Sequence, residues 1–232
     1  MPASQTLLKL ILNNCIVGTA ELNITARELI IYSWLVTYGN MATPELTRQM
    51  REEIEEMWNE PKGFIGLNNE QWSVRFRIDA YMRQDIQPED IYSNVNPRNN
   101  YIRIEEYAES NISSVDGMGS NTGYWKLENL YKGSTTAAHE YGHTLGLDHP
   151  TDLDYRGKGA PGIMYPRGTL VDAQYQYDPS KPAGVPGGTM HPMHRKVRQL
   201  DIEMLNLHKL SFNNNIGVVG NFSSVWHQEQ KA

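Results

Sequence analysis

Residues 139–149 read His-Glu-Tyr-Gly-His-Thr-Leu-Gly-Leu-Asp-His. If this segment begins as a helix, His139 and His143 lie four residues apart on one face, about 6 Å along the axis, and both imidazoles can reach one ion. A helix alone cannot bring a third ligand back to the same ion. Gly146 can turn the chain without a Cβ penalty, which returns His149 to that point.

The chemistry of this segment is that of a catalytic metal site. Three neutral imidazoles leave a fourth position of zinc open to water, the arrangement expected of a catalytic rather than a structural ion. Glu140 lies beside His139 and is placed to accept the proton of that water. The added glycine and third histidine make a chance match much rarer than for a bare HExxH pattern. The sequence therefore predicts one catalytic Zn²⁺ ion held by His139, His143 and His149.

The same residues carry a resemblance to a known clan. HEYGHTLGLDH matches the HExxHxxGxxH signature of the metzincin zinc metalloendopeptidases without a gap. Ala137 and Ala138 before the first histidine, and Met-Tyr-Pro at 164–166, are similar to matrixins. Pro150, directly after the third histidine, is similar to serralysins. The subfamily therefore stays open.

The resemblance also assigns a second motif. Gly-Ile-Met-Tyr-Pro at 162–166 resembles the Met-turn of metzincins, which implies that Met164 forms an apolar floor beneath the three histidines. Two roles stay open for Tyr165, assisting the oxyanion or shaping the pocket.

The implied fold is the zincin-like metzincin fold, of class α/β (α+β). It consists of a twisted mixed sheet with a backing helix and an active-site helix, then a mostly irregular C-terminal subdomain with a closing helix. We expect one catalytic domain over 1–232, with an N-terminal subdomain at about 1–149 and a C-terminal subdomain at about 150–232. The implied function is a zinc-dependent endopeptidase acting on an extended peptide or protein. The alternatives are a zinc amidase on a non-protein substrate, such as cell-wall peptide or a small amide, and a zinc-binding module without catalysis.

The composition of the chain limits the kinds of partner that we expect it to bind. The chain has 232 residues, 39% of them hydrophobic, and a formal net charge of −6. A basic face for nucleic acid is not expected at this charge. No apolar run approaches about 18 residues, so we expect no membrane span, and we expect a monomer. Met-Pro-Ala-Ser-Gln at the start lacks the pattern of a signal peptide. Because metzincins are mostly secreted, the resemblance implies a secreted or exported effector, and the location stays open.

The remaining secondary structure follows from side-chain patterns. Thr43 and Pro44 predict the start of a helix that backs the sheet. Opposite the apolar faces of the strands, Arg75, Arg77 and Arg103 are expected in solvent. Four stretches rich in branched and aromatic residues predict strands: Leu7 to Ile16, Leu29 to Tyr38, Trp72 to Met82 and Tyr101 to Tyr107.

Three later segments complete the expected architecture. Two short strand-like runs between Ile112 and Leu130 flank a glycine-rich turn, and one of them is expected to be a sheet edge that binds substrate backbone. The active-site helix is expected over Ser134 to Leu145. Residues 150–192 predict a long loop region, which by resemblance forms the wall of the pocket for the residue after the scissile bond. Val197 to Leu210 predicts a closing helix.

Three further candidate sites each have an ordinary structural alternative. Cys15 is the one cysteine, so no internal disulfide can form, and a buried thiol is favoured over an inhibitory zinc ligand. His191 and His194 are favoured as surface or loop-packing residues over a second metal site. Asp152 and Asp154 offer a structural Ca²⁺ site, but two spaced carboxylates in a loop are usually solvated, so calcium is not indicated.

Overall fold

The sheet is the framework of the molecule. A computed structural model describes residues 18–231, and within them eight strands form one mixed sheet. The mixed α/β class predicted from the sequence is confirmed. The strands are β1 (Gly18–Asn23), β2 (Glu28–Tyr38), β3 (Phe64–Leu67), β4 (Glu70–Met82), β5 (Asn99–Glu105), β6 (Ser114–Val115), β7 (Thr122–Lys126) and β8 (Ile216–Val219).

Four α-helices and four short 3-10 turns accompany the sheet in residues 18–231. None of these helices combines the length and the hydrophobicity needed to cross a bilayer. The helices are α1 (Pro44–Asn59), α2 (Pro88–Tyr92), α3 (Thr136–Thr144) and α4 (Gln199–Met204). The 3-10 turns are Leu127–Asn129, Ala173–Tyr175, Pro192–His194 and Leu207–Lys209.

The long strand β2 organises the sheet, whose order is β3-β4-β2-β5-β7-β6. β4, β2, β5 and β7 are parallel, and the antiparallel strands β3 and β6 lie at the two ends of this order. On one side β2 pairs with β4, and on the other it pairs first with β1 and then with β5. β8 extends the sheet beyond β1. The sequence therefore predicts the edge next to β7 correctly, although β6 is only two residues long.

Helix α1 backs the sheet as predicted. The Thr43 hydroxyl accepts the backbone N–H of Leu46 at 3.1 Å, and Pro44 opens the first turn. Its buried side chains recur at helical spacing, and the last large one, Trp58, donates its indole N–H to the Ala138 carbonyl at 3.0 Å. This bond fixes α3 against α1.

Two predicted strands, β2 and β4, lie where the sequence indicated, and β5 ends two residues before Tyr107. The strand predicted over Leu7 to Ile16, and Cys15 within it, lie outside the described residues. The expectation that Arg103 is solvated is wrong, whereas Arg75 is exposed as predicted.

Arg103 is largely shielded from solvent because the C-terminal segment covers it. Its side chain is 11% exposed, pairs with Glu105 at 2.6 Å and donates to the His227 carbonyl at 2.9 Å. Trp226 stacks on Tyr38 nearby, with ring centroids 5.2 Å apart. A contact with residues more than a hundred positions away cannot be read from strand alternation.

The closing helix is shorter than predicted. The apolar pattern from Val197 to Leu210 predicted one helix, but α4 spans Gln199–Met204 and a separate 3-10 turn follows. Asn206 adopts a left-handed backbone with φ 52°, which ends the helix. Leu200, near the start of α4, is 61% exposed although the pattern placed it on the apolar face.

Candidate metal centre

Helix α3 enters the core with its first backbone N–H groups satisfied from outside the helix. All of its residues are buried. Ser134 accepts the N–H of Thr136 at 3.2 Å, and the Glu53 carboxylate of α1 accepts the N–H of Ala138 at 3.3 Å. Burial raises the pKa of Glu53 to about 7, against the lowering effect of these backbone bonds. Thr135, just before the helix, holds a left-handed backbone with φ 58°.

The end of α3 returns the chain to the metal site. Gly146 has φ 96° and donates its N–H to the His143 carbonyl at 3.0 Å, and Leu147 donates to the Gly142 carbonyl at 3.0 Å. This pair of bonds around a left-handed glycine is the Schellman end of a helix. The turn predicted at Gly146 is confirmed, and it brings His149 back over the helix.

The three predicted histidines converge. The Nε2 atom of His149 lies 3.1 Å from Nε2 of His139 and 3.1 Å from Nε2 of His143. The ligand atoms of all three lie within 4.8 Å of one another. Zn–N bonds of about 2.0–2.1 Å in a tetrahedron separate two ligand nitrogens by about 3.3 Å. The cluster could therefore hold a metal ion with little movement.

Hydrogen bonds on the far side of two rings direct their lone pairs inward. Nδ1 of His139 donates to the Ile163 carbonyl at 2.7 Å, and Nδ1 of His143 donates to the Leu147 carbonyl at 2.7 Å. Each neutral ring then has a bare Nε2 facing the cluster. His149 has at most one Nε2 proton, so it can satisfy one of these neighbours but not both. A cation among the three nitrogens resolves this conflict, and the donor set fits zinc.

Burial keeps the imidazoles neutral. Loss of solvation lowers the pKa of His139 well below its ordinary value and that of His143 to about 4. The pKa of His149 is also lowered, chiefly by burial, although this residue is the exposed member of the three. At neutral pH all three rings therefore present lone pairs rather than protons, as metal binding requires.

Glu140 lies next to the cluster and is not part of it. It is 5% exposed, and burial raises its pKa to about 8, while the positive charges of Arg195 and Arg167 act in the opposite direction. A carboxyl group with a pKa near neutrality can both accept and return a proton.

The segment predicted as a turn beneath the histidines forms one. Tyr165 donates its N–H to the Gly162 carbonyl at 3.2 Å, closing a turn in which Met164 is 1% exposed. A Cβ atom at Gly142 would lie 2.3 Å from the Met164 sulfur. The sulfur therefore rests on the one helical turn that separates His139 from His143.

The Tyr165 side chain packs against a separate cluster of buried residues. Its ring packs 4.7 Å from the ring of Tyr155, beside Val171 and Met190. It is not among the described residues that border the cavity next to the metal cluster. Neither role considered for Tyr165 gains support from this position, and both stay predictions.

The other candidates have ordinary contacts. His191 packs on Tyr177 with ring centroids 4.5 Å apart, and His194 on Tyr175 at 5.6 Å, so both histidines pack within the loop region.

The two loop aspartates form ion pairs. Asp152 pairs with Lys158 at 3.0 Å and Asp154 with Arg156 at 2.5 Å. These pairs already satisfy the carboxylates that were considered for calcium.

A cavity of about 300 Å³ opens beside the cluster. Both residues of the edge strand β6 border it, so the strand expected to bind substrate lies next to the metal site. Sequence reasoning did not single out four polar residues of its wall, which are Asn129, Thr136, Arg167 and Arg195. Arg195 stands in a basic run that reads as solvated, and the others have no local signal. The bordering residues are Ile112, Ser113, Ser114, Val115, Met118, Asn129, Thr136, His139, Glu140, His143, His149, Pro166, Arg167 and Arg195.

Comparison with known proteins adds one likeness. No protein-family model matches the chain, and no curated protein matches it. Among solved structures, the chain is similar to archaemetzincin from Methanopyrus kandleri. The two share 13% sequence identity over 76% of this chain and 95% of that chain, with a TM-score of 0.40. Because both the identity and the TM-score are low, this likeness carries no argument about function, and the function has to be inferred from the geometry of the site.

Proposed function

We propose that this protein is a zinc-dependent endopeptidase of the metzincin type, with His139, His143 and His149 as zinc ligands and Glu140 as general base. The observation that carries the proposal is the convergence of three histidine Nε2 atoms beside a buried carboxyl group. Three histidines with an open fourth position are typical of catalytic zinc. A purely structural site would be expected to use a fourth protein ligand, and Glu140 is not part of the cluster formed by the three histidines.

Glu140 performs the proton transfers in this mechanism. Zinc, when bound, supplies a Lewis acid that acidifies water and polarises a carbonyl group. Glu140 accepts the proton of the attacking water and delivers it to the leaving amine, a role that contributes about 10²–10⁴-fold. Its burial keeps the proton from escaping to solvent.

The rest of the site orients these groups. The Ile163 carbonyl holds the ring of His139 in one tautomer, and Met164 supports the helix at Gly142, the positions expected of a Met-turn. Among the described residues no strand pairs with β6 on the side away from β7, so an extended peptide could pair with its backbone there. A substrate that pairs there lies beside the cavity and the metal cluster.

The shortness of β6 supports a second candidate function. Only Ser114 and Val115 belong to this strand, so the ladder available to a peptide is short. A small or cell-wall amide needs no long ladder and could use the same ligands. The second candidate is therefore a zinc amidase acting on a non-protein substrate.

Digestion of a denatured protein mixture by the purified, zinc-loaded chain tests the proposal. We expect about one zinc ion per chain and cleavage at internal peptide bonds. Glu140→Gln should keep the zinc and lower turnover by at least about 10²-fold, because it removes the base without removing a ligand. Glu56→Gln, at an exposed position on α1, is the matched control and should behave like the wild type.

Three results would contradict the proposal in different ways. Hydrolysis of small amides without cleavage of proteins would identify the amidase. Bound zinc with neither activity would identify a binding module. Full activity without a transition metal would remove zinc from the mechanism altogether.

A further inference from the structure

The cavity beside the metal cluster is positively charged in a protein whose net charge is −6. Arg167 and Arg195 both border it, and Glu140 is the one carboxyl group among its described bordering residues. In the proposed mechanism that carboxyl group is committed to proton transfer. The cavity therefore has more positive charge than its own walls neutralise.

Arg195 is the decisive residue. It is 4% exposed, and its Nε atom is buried with no hydrogen-bond partner among residues 18–231. No carboxylate of residues 18–231 forms an ion pair with its guanidinium group; Glu140 and Glu53 act on it only at longer range. A buried cation left unpaired costs several kcal/mol, so proteins seldom retain one without a use. The missing partner is an anion that comes from outside the chain.

Thr136 supplies a second unpaired group on the same wall. Within the described part of the chain its buried hydroxyl oxygen has no hydrogen-bond partner, although buried hydroxyls normally have one. Thr136 precedes Glu140 by four residues on α3, so the two side chains share one face of the helix. The cavity thus runs from the metal cluster along α3 towards its first turn, where Arg195 and Thr136 both lack partners.

We propose that this cavity binds a carboxylate group of the substrate, with the Arg195 guanidinium and the Thr136 hydroxyl as its donors. This inference rests on the proposed peptidase function and assigns its preference: cleavage next to an acidic group. A carboxylate accepts hydrogen bonds only, as the two orphan donors require, and a guanidinium group matches its two oxygens. The carboxylate belongs either to an Asp or Glu side chain or to the α-carboxyl end of a short peptide.

Matched substrates distinguish these two sources. The first pair is an amidated peptide with Glu or Gln directly after the scissile bond. The second pair ends at that residue with either a free or an amidated α-carboxyl group. We expect kcat/KM to favour the carboxylate member of one pair by roughly 10- to 100-fold, since a charge-assisted bond discriminates on this scale.

Variants of the two donors then assign the preference. Arg195→Met, which keeps most of the length of the side chain, should reduce the ratio of kcat/KM between the carboxylate and the uncharged member of the pair to about 1. Thr136→Val should reduce it roughly 2- to 10-fold. Arg156→Met, an exposed arginine paired with Asp154 outside the cavity, is the matched control and should leave the preference unchanged.

The stability of Arg195→Met provides a readout that does not depend on activity. Because the variant replaces an unpaired buried cation with an apolar chain, its unfolding midpoint should equal or exceed that of the wild type. A large fall in the midpoint would show that Arg195 has a structural partner within the protein and would overturn the proposal.

Binding separates failure of this inference from failure of the peptidase proposal. The same peptides are titrated into the zinc-loaded Glu140→Gln protein by calorimetry. If the wild type cleaves nothing but binding favours the carboxylate in an Arg195-dependent way, the anion site stands and the peptidase assignment fails. If the wild type cleaves both members of each pair equally, or if Arg195→Met slows both equally, the peptidase stands and the carboxylate site is refuted.

Discussion

Replacing Gly142 with alanine should destabilise the protein, although the same change normally stabilises a helix. Alanine is favoured over glycine inside a helix by up to about 1 kcal/mol. Here the new Cβ would lie 2.3 Å from the Met164 sulfur and 3.2 Å from a ring carbon of Trp58. Non-bonded carbon contacts need about 3.5–4.0 Å, so the sulfur must retreat by more than about 1 Å in a buried setting. Overpacking of this kind costs about 1–3 kcal/mol, which leaves a net loss of up to about 2 kcal/mol.

The effect of Gly142→Ala on stability should change sign when Met164 is replaced. Met164→Ala opens the space that the Cβ needs, so Gly142→Ala in that background should stabilise by up to about 1 kcal/mol. The double-mutant cycle then shows a coupling energy of about 1–3 kcal/mol. Urea unfolding of the four proteins with a chelator present measures the cycle without a contribution from bound metal.

If Gly142→Ala had the same effect on stability with Met164 present and with Met164→Ala, the contact between the Met164 sulfur and α3 would be refuted. Such a result would mean that Met164 does not rest on α3 between the ligands, and the assignment of a Met-turn would lose its structural support.

Three further changes test neighbouring parts of the structure. Glu53→Gln removes a carboxyl group whose pKa burial raises from 4.5 to about 7. Because the folded wild type binds this proton more tightly than the unfolded chain does, the stability of the wild type falls as pH rises from 4.5 to 7. The variant should therefore gain about 2–3 kcal/mol relative to the wild type between pH 4.5 and 8, and a difference that is constant with pH would contradict this. Met164→Leu should cost less than about 1.5 kcal/mol and Met164→Ala about 2–5 kcal/mol, whereas equal losses in denaturant unfolding would indicate an ordinary loop. Tyr141→Phe leaves the buried Ser33 hydroxyl without its 2.8 Å partner and should cost about 1–3 kcal/mol; a neutral effect in thermal unfolding would show that Ser33 has another partner.

The sequence predicted the parts of this fold that depend on local chemistry. The cap at Thr43, the alternation along β4 and the turn at Gly146 each follow from the conformational preference of a few neighbouring residues. The three histidines were predictable for the same reason, since their spacing within 139–149 sets their geometry once the helix and its end are known.

Features that depend on distant contacts escaped prediction. Arg103 is largely shielded from solvent by a segment that includes His227, and nothing near Arg103 signals this. Arg195 looks like one of several solvated cations in its own stretch, and its burial arises because the loop region folds back over α3. Thr136 reads as an ordinary early helix residue, and only the cavity beside it shows that its hydroxyl lacks a partner.

The bond from His139 Nδ1 to the Ile163 carbonyl has a consequence for the behaviour of the whole chain. It joins a ligand on α3 to the turn at 162–165, so an ion that fixes the His139 ring would also stabilise this turn. By thermodynamic reciprocity, any change that loosens the turn at 162–165 weakens metal retention, and removal of the metal loosens the turn. Chelation should therefore expose residues 150–192 to cutting by an added protease before the sheet itself unfolds.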